Sequence, residues 1–325
     1  MKVSLILTVL NEGGHIRRLL ESVAQQSRLP GEIVVCDGGS KDNTLAVIQE
    51  YTNRLPLKVI IAPGANISQG RNAAIRAAGG DIIAVTDAGV WLEDGWLEEL
   101  LGAGKWGNKG SGGKVAVVAG FYKSDPQNVF EVALGATTLP DVNEINPARF
   151  LPSSRSVAFR KEAWEAVGGY PEWLDFSEDV VFDLAMREKF GAFAFAPKAI
   201  AHFRPRPSLA TFAKQYFNYA KGDGKANLWP KIHFTRYFTY LVAAPLLVYA
   251  AVTVSPWLWL LGIVAGLAYL RRPLQRLVKR TTDLKNLADW LKVLFWIPVI
   301  RVAGDVAKMI GYPVGLWQRL TRQRM

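Results

Sequence analysis

Four carboxyl-bearing residues, Asp37, Asp87, Glu178 and Asp179, stand where an apolar run meets a polar one, and an ionised group there needs a partner or a ligand. Asp37 ends the run Glu32-Ile33-Val34-Val35-Cys36 and opens Gly38-Gly39-Ser40-Lys41-Asp42-Asn43-Thr44. The glycines let the backbone turn sharply and approach a ligand, Ser40 can cap a helix, and Asp37 is an acceptor for a base or ribose. Any strand-to-helix turn would use the same Gly and Ser. Arg71, after Gly64-Ala65-Asn66-Ile67-Ser68-Gln69-Gly70, can hold a diphosphate near a helix N-terminus, or stand in solvent as an ordinary helix charge with Arg76. Asp87, in Thr86-Asp87-Ala88-Gly89 after the apolar strand Ile82 to Val85, suits a ribose or a metal ion, or caps a helix running from Trp91 to Leu101. Asp179 opens a helix whose dipole favours its ionised form, and a carboxylate beside a sugar hydroxyl can take its proton as general base. Its neighbours Glu178 and Asp183 read equally well as ordinary first-turn acids.

The elements that position these residues follow from periodicity. Predicted strands at Val3 to Leu10, Glu32 to Asp37, Lys58 to Ala62 and Asp81 to Asp87 alternate with predicted helices at Gly14 to Gln26, Lys41 to Tyr51 and Ser68 to Ala78. That order specifies an α/β fold with a parallel sheet covered by helices on both faces, and ligands of such sheets collect beyond the carboxyl ends of the strands. Asn11, Glu12, Asp37 to Ser40, Pro63 to Asn66 and Asp87 to Gly89 all fall at those ends. Gly102 to Gly113 reads as a surface loop, a strand follows at Val115 to Phe121, and Ser124 to Pro152 yields no assignment. Further helices are expected at Lys161 to Val167 and Asp179 to Phe190. Cys36 reads as a small core residue. The apolar N-terminus turns polar at Asn11-Glu12 without a small-residue cleavage site, so it reads as a buried strand, and the first domain is expected in the cytoplasm.

Charge is unevenly spread. Residues 1 to 200 hold 20 Lys and Arg against 24 Asp and Glu, residues 201 to 325 hold 19 against 4, and the net +11 therefore comes from the last part of the chain. Those cations flank apolar runs instead of forming a soluble patch, which points to an anionic membrane surface and away from nucleic acid. Tyr237 to Leu270 is 34 residues without a charge. As one helix it would reach roughly 51 Å, too long for a hydrocarbon core of about 30 Å. Ser255-Pro256 interrupts it and basic residues lie at both outer ends, giving a hairpin with both ends on the cytoplasmic face of the inner membrane, either spanning or re-entrant. A buried helical pair of a soluble protein would show the same run. Residues 290 to 325 read as a basic amphipathic tail at the headgroup level, or as a segment packed on the preceding domain. The expected organisation is a first domain over 1–225, the hairpin region over 226–289 and the tail over 290–325.

The ordered set Thr8 to Glu12, Asp37 to Thr44, Arg71-Asn72, Asp87-Ala88-Gly89, Val157 to Lys161, Gly168-Gly169-Tyr170, Glu178-Asp179 and His202 resembles the family 2 inverting glycosyltransferases of the GT-A fold, over residues 1 to about 225. The resemblance implies transfer of a sugar from a nucleotide-diphosphate donor to a lipid-linked or glycan acceptor. It implies that Thr8, Asn11, Glu12, Asp37 and Gly39 line the nucleoside side, that Arg71 serves the nucleotide side of the donor, and that Asp87, Ala88 and Gly89 border ribose and diphosphate. Asp179, with Glu178, would act as base, and Arg155, Gln215 and Tyr219 would close the donor or acceptor side. Gln215 and Tyr219 share a helix face and fit a plain connector as well. A divalent metal, Mg²⁺ or Mn²⁺, would rest on Asp87 and His202, but Gly89 stands where the family usually has a second Asp, so Arg155, Arg204 and Lys221 would share the neutralising work. A nucleotidyltransferase on a similar sheet and a non-catalytic nucleotide-sugar-binding scaffold are the rival readings.

Overall fold

The computed structural model describes residues 1–106, 115–279 and 284–322. The chain divides into two compact units: 1–125 with 142–204, and 126–141 with 205–325. In the first unit the strands are β1 (Val3–Val9), β2 (Glu32–Asp37), β3 (Leu57–Ile61), β4 (Ile82–Val85), β5 (Val90–Leu92), β6 (Val117–Ser124), β7 (Val157–Arg160) and β8 (Ala194–Phe203). Its helices are α1 (Ile16–Ala24), α2 (Thr44–Gln49), α3 (Ile67–Ala77), α4 (Trp96–Gly104), α6 (Lys161–Ala166) and α7 (Glu178–Phe190). The second unit holds α5 (Val129–Thr138), α8 (Leu209–Ala226), α9 (Pro230–Phe238), α10 (Ala244–Thr253), α11 (Leu258–Val278) and α12 (Leu287–Arg322).

The eight strands form one sheet in the order β3-β2-β1-β4-β7-β6-β8-β5. β1 pairs in parallel with β2 and β4, and β2 with β3, so the expected parallel core is present. Beyond it the sheet is mixed: β7 runs antiparallel between β4 and β6, β8 lies parallel to β6, and β5 is antiparallel to β8. Branched apolar residues on both faces of β1 and β4 are fully buried, as a covered sheet requires. One apolar layer, including Leu19, Leu20, Trp96 and Leu100, covers one face, and a second, including Cys36, Ile75, Phe159 and Phe182, covers the other. Cys36 is thus a core residue, as expected.

Two local expectations are corrected and one unassigned segment is filled. Residues 90–92 form a strand and the helix starts at Trp96, because Trp91 pairs opposite His202 of β8 and its ring stacks on the imidazole at 3.9 Å. The unassigned segment after Ser124 contains α5, capped by the Asn128 side chain accepting from the Glu131 amide. The surface loop expected over Gly102 to Gly113 begins with the last turn of α4, and its remainder from residue 107 lies outside the described residues.

In the second unit α8, which carries Gln215 and Tyr219, packs along α12 at very short range. A Cβ on Gly224 would lie 2.2 Å from the Tyr312 carbonyl oxygen, and one on Gly315 would lie 2.0 Å from that of Lys221, so only glycine allows these backbones to meet. The other side of α12 leaves Leu291, Phe295, Val302, Ile310 and Trp317 exposed. The apolar run is broken at Val254–Trp257 between α10 and α11, where Ser255-Pro256 stands. Residues Pro230–Thr253 are long and apolar enough to cross a membrane by length and composition, with one turn of π-helix at Thr239–Ala243. Leu241, Leu246, Val252, Leu261, Val264 and Leu267 on the two limbs are more than half exposed.

Candidate active site

The loops after β1 and β2 are latched together at the carboxyl ends of the parallel strands. Asn11, in the left-handed region at φ 56°, donates its amide to Ser40 Oγ and accepts from the Lys41 amide at 2.8 Å. The Glu12 amide donates to Thr44 Oγ1, and that of Gly13 to Asp42. Asp37 is buried and accepts from the amides of Gly39 and Ser40 and from Ser40 Oγ, so it shapes this loop from within. Gly39 has φ +96°, and a Cβ there would sit 3.3 Å from Pro63 Cα, which makes glycine a requirement of the turn. Thr8 lies near the end of β1, where its methyl would be 3.1 Å from a Cβ at Gly70, and the close approach of α3 to the strand ends follows from that missing side chain.

Arg71 on α3 is the centre of the cluster. It is 3% exposed, correcting the solvated-helix reading, and donates from Nη1 to Glu178 Oε1 at 2.7 Å and from Nη2 to Asp87 Oδ1 at 2.9 Å. Burial opposes its charge, but Asp87 and Glu178 hold it firmly protonated. The guanidinium faces the Tyr170 ring at 5.3 Å. One cation thereby ties the end of β4 to the start of α7. Asp87 does not cap α4, whose N-cap is Gly95. Its second oxygen is 3.7 Å from Arg155 Nε, and Arg155 itself rests 4.4 Å over the Phe203 ring. Ala88 is packed in the core, while a Cβ on Gly89 would meet open space.

α7 opens on Ser177 with φ 62°, a strained conformation for a non-glycine residue that presents Glu178 and Asp179 in the first turn. Desolvation raises the carboxyls of both above the usual range, against the pull of Arg71. Asp179 also feels the charges of Arg155 and Asp87, which places it in the same electrostatic neighbourhood, and its Oδ1 accepts from the Val180 amide at 2.9 Å. Glu12 is raised as well, by desolvation first, with Asp87 and Asp42 among the charges it senses. Asn72 is a brace: it donates to the Tyr170 carbonyl at 2.8 Å and to Glu172, and accepts from the Tyr170 amide and Trp164 Nε1, fixing the Gly168-Gly169-Tyr170 turn.

Asp183, one turn along α7, carries a signal that sequence reading left among ordinary acids. It is buried, its Oδ2 makes no hydrogen bond, and burial together with the Asp179 charge pushes its carboxyl well above the ordinary range. The folded chain therefore binds a proton here more tightly than the unfolded chain, so the stabilising contribution is complete below the unfolded pKa and is lost as pH rises through the folded one. Asp183→Asn is expected to flatten the thermal melting temperature against pH and to exceed the parent on the alkaline side, as measured by melts across the neutral range.

The pairing of Asp87 with His202 as metal ligands finds no support in their partners. His202 Nε2 is 2.8 Å from Glu93 Oε1 and its ring is stacked on Trp91, while Asp87 is held by Arg71 and flanked by Arg155. Among the described residues no three His, Cys, Asp or Glu side chains gather into a metal-holding group. The side chains present do not fit a resident divalent ion. Gln215 and Tyr219 belong to the second unit, where Gln215 Nε2 donates to the Tyr219 hydroxyl at 2.7 Å.

Residues 4–161 match the model described as Glycosyl transferase family 2. The chain carries a family 2 glycosyltransferase domain. EpsH of Bacillus subtilis (strain 168) is 35% identical over 102 residues, 30% of this chain and 29% of EpsH. The succinoglycan biosynthesis protein ExoA of Rhizobium meliloti (strain 1021) is 25% identical over 236 residues, 68% of each chain. The chain spans less than a third of the first curated relatives it matches. In fold, the mannosyltransferase PcManGT from Pyrobaculum calidifontis, solved with GDP-Man and Mn²⁺, covers 98% of this chain and 88% of its own at TM-score 0.63 and 19% identity. The glycosyltransferase domain thus has the mixed α/β sheet of the GT-A type, with Asp37, Arg71, Asp87, Glu178 and Asp179 at one end of its parallel strands.

Proposed function

We propose that the chain transfers a sugar from a nucleotide-diphosphate donor, with inversion, to an acceptor presented at a membrane. The observation that carries this is the bridge Asp87–Arg71–Glu178, which holds the first turn of α7 beside the strand end where a donor diphosphate would lie. The nucleoside is assigned to the latched loops bearing Thr8, Asn11, Glu12, Asp37 and Gly39, and the ribose and diphosphate to Asp87, Ala88 and Gly89. Asp179 removes the proton of an acceptor hydroxyl as its oxygen attacks the anomeric carbon from the face opposite the leaving group. The anomeric bond to the diphosphate breaks with its electron pair on the phosphate oxygen. A desolvated carboxylate is a stronger base than one in water, which suits this role. Arg155, partly exposed beside Asp87, neutralises charge developing on the diphosphate, and buried Arg71 keeps the carboxylates in place.

The acceptor hydroxyl belongs to a lipid-linked glycan or a glycolipid, while a polyprenyl phosphate would attack through its oxyanion without the base. Either is reached because α9 to α12 attach the chain to the cytoplasmic face of the inner membrane as a spanning or re-entrant hairpin with an interfacial α12. Exposed apolar side chains on both limbs and along α12 support this reading.

The test is release of nucleoside diphosphate by the full chain from a panel of nucleotide sugars, with lipid-phosphate and glycan acceptors, alongside thermal shifts with the free nucleotides. Saturating nucleotide at about a hundred times its Kd should stabilise the fold by about 2.7 kcal/mol. Pyrophosphate release from nucleoside triphosphate and sugar phosphate would instead identify a nucleotidyltransferase, and binding without turnover would identify a scaffold.

A further inference from the structure

Five helices of the second unit, α5, α8, α9, α11 and α12, enclose a cavity of roughly 300 Å³ that none of the site residues above touches. Arg236, Arg272, Arg276, Arg301 and Lys308 line it, and Asp305 is the acid among its lining residues. That carboxylate is already committed. Asp305 accepts from Arg236 Nε at 2.7 Å and from the hydroxyls of Tyr269 and Tyr240, and its charge also reaches Arg301 and Lys308, so one carboxylate serves several of the lining cations.

The cations are held, not loose. Arg236 Nη1 also contacts His233 Nδ1 at 3.2 Å, Arg301 lies 4.5 Å over the Tyr269 ring, and Lys308 lies 4.6 Å over the Tyr216 ring. Arg301 Nε is buried without a hydrogen-bond partner among the described residues. Burial, reinforced by Arg236, lowers the affinity of the Lys308 amine for its proton despite Asp223 and Asp305. The lining cations outnumber the lining acid, and preorganised guanidinium groups match phosphate oxygens in charge and geometry.

We propose that this cavity binds a phosphate or diphosphate group. Arg236 and Arg272 stand at the two roots of the apolar hairpin, so the group would meet the protein where exposed hydrocarbon-seeking helices give way to cations. That placement admits either a lipid headgroup or a soluble diphosphate as the source. The proposal concerns binding in the second unit alone and does not depend on the sugar-transfer reading.

The experiment uses the full chain in neutral detergent with inorganic pyrophosphate, and in phosphatidylcholine vesicles with and without phosphatidic acid. Arg272→Gln with Lys308→Met is compared with Lys285→Gln and Lys292→Gln, which remove equal charge from exposed positions on or just before α12. The cavity variant is expected to bind at least about tenfold more weakly, the scale of losing charge-assisted hydrogen bonds, while the surface variant and nucleoside-diphosphate binding are unchanged. Loss confined to the vesicle arm identifies a lipid headgroup, and loss in the pyrophosphate arm a soluble group. Absence of saturable binding by the parent chain, or equal weakening in both variants, overturns the proposal. Should the cavity variant lose its cooperative melt, Arg272→Gln alone carries the comparison.

Discussion

Asp179→Asn should cost at least about a hundredfold in kcat, the scale of a lost general base, with nucleotide affinity retained. Asn keeps the size of the side chain and its capping oxygen for the Val180 amide, so the first turn of α7 survives while the proton acceptor does not. The pH profile separates catalysis from structure. Because burial raises the Asp179 carboxyl, kcat/KM of the parent should climb with pH through that raised value as the base ionises, and the residual rate of the variant should lose that limb. Steady-state rates across the acidic and neutral range, paired with nucleotide binding, check both parts. Full activity in Asp179→Asn would remove Asp179 as the base of the scheme.

Arg71→Met should be the most damaging single change to stability in the first unit. Its guanidinium is 3% exposed and bridges Glu178 and Asp87, so its loss strands Glu178 in a desolvated place and leaves Asp87 with Arg155 alone, at a cost of about 3–5 kcal/mol. The loss should shrink in mild acid, where a protonated Glu178 no longer needs its counter-charge, and be greatest towards alkaline pH. Denaturant unfolding of parent and variant at two pH values measures this, and a variant as stable as the parent at alkaline pH would show that the bridge holds nothing together.

The parallel half of the sheet was legible because its strands are short, apolar and β-branched and are each followed by polar turn residues. The positions of Asp37 and Asp87 at one edge follow from that order alone, whereas Arg71 and Asp179 join them only through the family resemblance. What joins them did not: the Arg71–Glu178 pair spans 107 residues of chain, and nothing local to either residue marks it. β8 escaped notice because Pro197 and Lys198 break its apolar pattern, and it carries an irregular register against β6. β5 was read as helix because Trp91-Leu92-Glu93 favours either state, and its antiparallel partner on β8 decided the outcome. α5 is buried nearly all round, so no amphipathic period revealed it. His202 illustrates the limit of matching residue types to a family pattern, since its imidazole is occupied by Glu93 and Trp91.

The excursion of the chain at 126–141 bears on how the protein can be dissected. α5 lies within the numerical span of the sugar-transfer domain, yet Val132, Ala133, Leu134 and Ala136 are buried in a cluster with Phe212, Val293 and Ile297. A gene cut after codon 204 would yield a fragment with a greasy helix stripped of its cover, prone to self-association however sound its sheet. A well-behaved soluble version calls instead for excising 126–141 as well and rejoining Asp125 to Val142 through a short linker.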